Sequence, residues 1–106
     1  MQYKAITEAD TNRYVMSYSA PGGMRAGFEY YRAFPITEEQ NKEHSKVKLM
    51  MPVLALSGTY TGNASLTSMK SLATDVRGGI VPFSGHWIPE EWPDFLIKEL
   101  AKFFND

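Results

Sequence analysis

Cysteine is missing from all 106 residues, which excludes disulfides and thiolate chemistry. No stretch approaches the ~18 consecutive apolar residues of a membrane-spanning helix, and no membrane association is expected. Neither sign of charge prevails. Eleven Lys and Arg face twelve Asp and Glu, for a net charge of −1. There is no basic stripe, so nucleic acid is not an expected partner. Met1-Gln2-Tyr3-Lys4 is followed by no apolar run, so no signal peptide is expected. Together with the missing cysteine, this points to a soluble, cytoplasmic chain. There are only two histidines, His44 and His86. Neither stands in a cluster of carboxylates or histidines, so no metal and no other cofactor is expected.

The composition otherwise favours folding. The chain is 43% hydrophobic and 13% aromatic, which argues against disorder. Its length suits one small compact unit, burying roughly 60–70% of the surface its unfolded chain exposes. The pattern changes near residue 51, dividing it into a helical, aromatic segment (1–50) and an alternating strand–helix segment (51–106).

In the first segment, Thr7 followed by Asp10 is a capping-box variant that starts a helix. Tyr14, Val15 and Tyr18 fall on one helical face, and Pro21-Gly22-Gly23 ends it. A second helix is expected from about Met24, with Phe28, Tyr31 and Arg32 on one side, interrupted at Pro35. Thr37 to Ser45 is a charged, solvated stretch that includes His44. In the second segment, Pro52 to Gly58 reads as a buried parallel strand. Asn63 is a helix cap ahead of Leu66, Met69, Leu72, Ala73 and Val76. Gly78-Gly79 reads as a turn, and Ile80 to Phe83 as a second strand that is ending or at an edge at Pro82. A last helix from Pro89 carries Trp92, Phe95, Leu96, Leu100, Phe103 and Phe104 at helical spacing, with Pro93 tolerated in its first turn. Glu90 and Glu91 suit the positive end of its dipole. The order is β-α-β-α. Its crossover implies parallel strands, and two parallel strands alone leave faces and edges to be covered.

Ser84-Gly85-His86-Trp87 lies between the last strand and the last helix, at the carboxyl end of a parallel strand, where open α/β sheets do their chemistry. Imidazole suits proton transfer near neutral pH. The alternative is that His86 only hydrogen-bonds within a turn.

Met51 to Gly58, Met69 to Val76 and Gly85-His86-Trp87-Ile88-Pro89-Glu90-Glu91 together resemble the end of α/β-hydrolases of the epoxide-hydrolase and dehalogenase type. Tyr14 to Phe34, with Gly27-Phe28-Glu29-Tyr30-Tyr31-Arg32, resembles the end of that family's helical cap. The resemblance implies an α/β chain with a partial α/β-hydrolase fold, a cap remnant followed by β-α-β-α with two parallel strands. It also implies a mechanism. An aspartate forms an ester with the substrate, and a histidine held by an acidic residue activates the water that hydrolyses it. By resemblance His86 is that general base, and Tyr31 matches a cap tyrosine that donates a hydrogen bond to the opening epoxide oxygen. The alternative for Tyr31 is a packed cap aromatic. Tyr18, Phe28 and Trp87 could line a substrate pocket with them, or belong to an ordinary aromatic core.

The chain departs from the family in carrying no G-x-D-x-G or G-x-S-x-G elbow and no oxyanion-hole motif. The loop Thr59-Tyr60-Thr61-Gly62-Asn63 holds no carboxylate, and Asp75 sits at a helix end. Whether the chain acts as an enzyme therefore stays open. The expectation is a C-terminal hydrolase fragment, inactive alone, that would act on a small molecule once the missing N-terminal half completes it. The competing expectation is a non-enzymatic remnant that self-associates or binds a small ligand. A homo-oligomer burying the Val53–Leu56 region fits either.

Overall fold

A computed structural model describes residues 5–105, so Met1–Lys4, where no signal peptide is expected, lie outside the described residues. The chain divides into a helical unit, Ile6–Val47, and a second unit that comprises Ala5 and the residues from Lys48 onward.

In the helical unit, α1 spans Glu8–Ser19 and starts at a complete capping box. The Asp10 N–H donates to the Thr7 hydroxyl at 3.2 Å, and the Thr7 N–H donates back to the Asp10 carboxylate at 3.0 Å. Two orphan donors of the first turn are thereby satisfied. Helices α2 (Gly23–Arg32) and α3 (Phe34–His44) meet at Ala33. Pro35 was expected to interrupt a helix. It instead occupies the first turn of α3, where its missing N–H breaks no hydrogen bond. The charged stretch continues as the body of α3, where Lys42 pairs with Glu38 at 3.1 Å and Glu39 at 2.8 Å. None of the three helices buries a residue. Tyr14, Val15 and Tyr18 of the expected apolar face stay 44–56% exposed.

The second unit is built on two parallel strands, β1 (Val53–Gly58) and β2 (Val76–Val81), paired from Val53↔Val76 to Gly58↔Val81. A bridge between Leu49 and Ala73 extends the contact upstream. Helix α4 (Ala64–Leu72) makes the crossover. Side chains alternate along β1. Ala55 and Ser57 are buried, and the Ser57 hydroxyl accepts the Ser65 N–H in the first turn of α4 at 3.4 Å. Asn63 holds the expected N-cap position but makes no side-chain cap bond. Leu54, Leu56 and Arg77 turn to the other side, where they line a groove of about 380 Å³ with Phe95, Glu99 and Phe103.

Two sequence expectations are corrected here. Gly78-Gly79 is not a turn. It lies inside β2, which runs from Val76 to Val81 rather than from Ile80 to Phe83. Gly78 has φ +120°, and a Cβ there would collide with the Ala55 carbonyl of β1, so the strand pair demands glycine where a local pattern reads a turn. Val76 accordingly opens β2 and does not close α4. The last helix is also two helices. α5 (Ile88–Glu91) ends at Trp92, and Pro93 opens α6 (Pro93–Asn105). Proline favours starting a helix over continuing one.

Candidate active-site loop

The carboxyl ends of both strands converge on residues 82–87. At the end of β1, Gly58 is buried against Gly85, and a Cβ on Gly58 would fall onto the Gly85 carbonyl oxygen. The Thr59 N–H then donates to the Ser84 carbonyl at 3.0 Å. The Val81 carbonyl accepts two hydroxyls, Thr59 at 3.3 Å and Ser84 at 3.0 Å. Ser84 is fully buried. Phe83 adopts φ +59°, an uncommon conformation for a bulky residue. The Trp92 indole N–H donates to its carbonyl at 3.3 Å.

His86 follows directly, at the carboxyl end of β2 as the strand–loop–helix order predicts, and it is exposed. Its ring stands edge-on to Trp87, with centroids 5.1 Å apart. The loop is held from behind by Glu91, which is 6% exposed. One carboxylate oxygen accepts the Gly85 N–H at 2.6 Å, and the other accepts the Trp87 N–H at 3.2 Å. Glu91 therefore grips the peptide groups on both sides of His86 and not the imidazole. The sequence places Glu91 in the segment that resembles the family and at a favourable end of the helix dipole, but does not give it a contact with the loop. The available signal was its spacing, six residues after the loop glycine and within the first turn of the next helix, which lets a side chain fold back onto the loop it follows.

The Thr59–Asn63 loop brings no carboxylate near His86. Asp75 lies just before β2, at the end opposite His86, and pairs with Arg77 at 3.1 Å. At ~3.3 Å per residue, the six residues of β2 hold it far beyond hydrogen-bonding reach of the imidazole. Among the described residues, no three His, Asp or Glu side chains gather as a metal site requires.

The other expected site residues lie in the helical unit. Tyr18 of α1 packs over α2, where a Cβ on Gly27 would stand 3.1 Å from its ring. Phe28 and Tyr31 are three residues apart on α2 and share a face, at 52% and 66% exposure. Tyr31 also contacts Phe34 at 5.3 Å and Tyr30 at 6.0 Å between ring centroids.

No family model matches the chain. Individual proteins do. Over 99 residues, 93% of this chain, it is 34% identical to the soluble epoxide hydrolase of Corynebacterium sp. (strain C12). The structure superposes on the epoxide hydrolase CorEH without ligand at a TM-score of 0.88, with 33% identity over 96% of this chain. The chain matches the C-terminal part of an epoxide-hydrolase-like α/β-hydrolase. It spans 35% of the length of the Corynebacterium protein and 36% of CorEH. Wild-type Cfl2 from Burkholderia cenocepacia gives a TM-score of 0.87 with 35% identity, over 94% of this chain and 35% of that one. The two parallel strands and their helices are thus a part of the α/β-hydrolase fold, as the sequence resemblance implies. The hydrogen bonds that hold the strand-end histidine loop run within residues 59–92 of this chain.

Proposed function

We propose that this chain is the histidine-bearing segment of an epoxide-hydrolase-type enzyme, with His86 as general base. The observation that carries this reading is the position of His86. It projects from a loop pinned at the carboxyl end of a parallel strand, in a chain that aligns along nearly its whole length with epoxide hydrolases. In this role His86 takes a proton from the water that attacks an ester formed between the substrate and a nucleophile supplied by residues outside these 106. Tyr31 donates a hydrogen bond to the epoxide oxygen as the ring opens, and Tyr18, Phe28 and Trp87 contribute substrate contacts. In this reading the carboxylate that orients the imidazole is also supplied from outside these residues, Glu91 being engaged with backbone.

The 106 residues alone then lack a nucleophile and turn over no epoxide. Proton transfer by itself contributes ~10²–10⁴-fold, while most of the rate enhancement rests on covalent chemistry and charge stabilisation. The test is complementation. The chain is mixed or co-expressed with the preceding two-thirds of the Corynebacterium relative, and hydrolysis of a small epoxide is followed. Activity is expected only in the mixture, with a loss of at least about 100-fold for His86→Ala. Turnover by the isolated chain that His86→Ala abolishes would overturn the claim that it is inactive alone. A fully active His86→Ala mixture would remove His86 from the mechanism.

The two-stranded sheet favours a second reading. Among the described residues each strand has one unpaired edge, and Leu54 and Leu56 line an open groove. A free-standing chain would cover these by self-association through the Val53–Leu56 region, without catalysis.

A further inference from the structure

We propose that Glu91 is the positioning residue for His86, a role that rests on the assignment of His86 as general base. A carboxylate 6% exposed is retained in a protein only when its oxygens are well partnered. Those of Glu91 accept from Gly85 and Trp87, the peptide N–H groups that bracket His86 in the chain. Charge-assisted bonds of this kind are shorter and stronger than neutral ones, and the Gly85 contact is 2.6 Å. Glycine at position 85 has its own reason in the same geometry. A Cβ there would stand 2.7 Å from a Glu91 carboxylate oxygen, so any side chain would push the carboxylate off its donors. Gly85 and Glu91 thus act as one device. The glycine makes room for the carboxylate, and the carboxylate fixes the backbone from which the imidazole projects. Side-chain precision at a catalytic group depends on such support.

Substitution separates this role from a helix-dipole effect. Glu91→Gln keeps one acceptor and turns the other end into an N–H donor, which faces one of the two loop amides. Glu91→Asp keeps the charge within the single turn of α5 but draws it back by one methylene. NMR of the isotope-labelled 106-residue chain provides the test. In the unaltered protein, through-hydrogen-bond couplings are expected from the Gly85 and Trp87 amide nitrogens to the Glu91 carboxyl carbon. In both variants, exchange of those two amides should rise by about tenfold or more. The order parameter of the His86 imidazole should fall, while the Leu56 and Ile80 amides of the sheet keep their exchange rates. Wild-type behaviour in Glu91→Asp would reduce the residue to a dipole effect. A loss shared equally by Leu56 and Ile80 would make it a general stabiliser. Missing couplings in the unaltered chain would overturn the clamp without recourse to any variant. His86's own role is decided separately by complementation.

Discussion

Gly58 and Gly85 meet backbone to backbone where β1 ends, and this contact sets how closely the histidine loop approaches the sheet. A methyl group at position 58 has nowhere to go, because its neighbour is a carbonyl oxygen and not a flexible side chain. Gly58→Ala is therefore expected to lower stability by about 2 kcal/mol, read as a reduced urea midpoint with an unchanged m-value. An unchanged midpoint would show that the loop can back away from the strand. Glu91 was legible as an acidic first-turn residue, and His86 as a strand-end histidine. What joins them was not legible. The clamp depends on the turn taken between Phe83 and Trp87, including a positive φ at Phe83, a conformation that a phenylalanine does not announce.

At the scale of elements, the capping box at α1 makes a prediction about pH. The hydrogen bonds from the Thr7 side chain and backbone hold the Asp10 carboxyl below its ordinary value of 3.8. A carboxylate whose pKa is lowered on folding contributes fully above the unfolded-state value, and that contribution is lost as pH falls through the folded-state value. The α1 amides should therefore stay protected near neutral pH and loosen only in acid below 3.8. Thr7→Ala should weaken the helix start by about 1 kcal/mol at neutral pH, and residue-resolved hydrogen exchange across Glu8–Ser19 would show whether it does. Thr7 and Asp10 were readable from the sequence because both partners lie within one turn. Features set by distant contacts were not. Gly78-Gly79 reads locally as a turn, yet the Ala55 carbonyl on the other strand is what requires glycine there. Asn63 has the right residue type at the right position, yet the hydroxyl of Ser57, six residues earlier, reaches the first turn of α4 instead. Pro93 looked tolerable inside one helix, but Trp92 closes α5 with its N–H on the Ile88 carbonyl at 2.8 Å and lets proline start α6.

For the whole molecule, exposure is the dominant feature. Among the described residues Val81 and Ser84 are the largest fully buried side chains, while Met50, Phe83 and Phe104 stand 74–77% open. A chain of this composition is expected to cover such surface in solution. If it does so with copies of itself through Val53–Leu56, light scattering should show a mass that rises with concentration, and a charged substitution at Leu54 should return it to the monomer. A monomer at high concentration would instead favour a surface reserved for a different polypeptide.

The histidine loop itself owes nothing to such an association. The hydrogen bonds described for it run to Thr59, Val81, Glu91 and Trp92, all within the last half of the chain. The loop is in this sense a cassette, its shape written into about fifty consecutive residues. On the proposed reading of His86 as general base, a cut upstream of such a cassette severs the route to the nucleophile but leaves the histidine loop standing in place. Splitting proteins of this kind at the border between the helical unit and β1 should then yield halves that need only dock, without refolding, to bring their chemistry together.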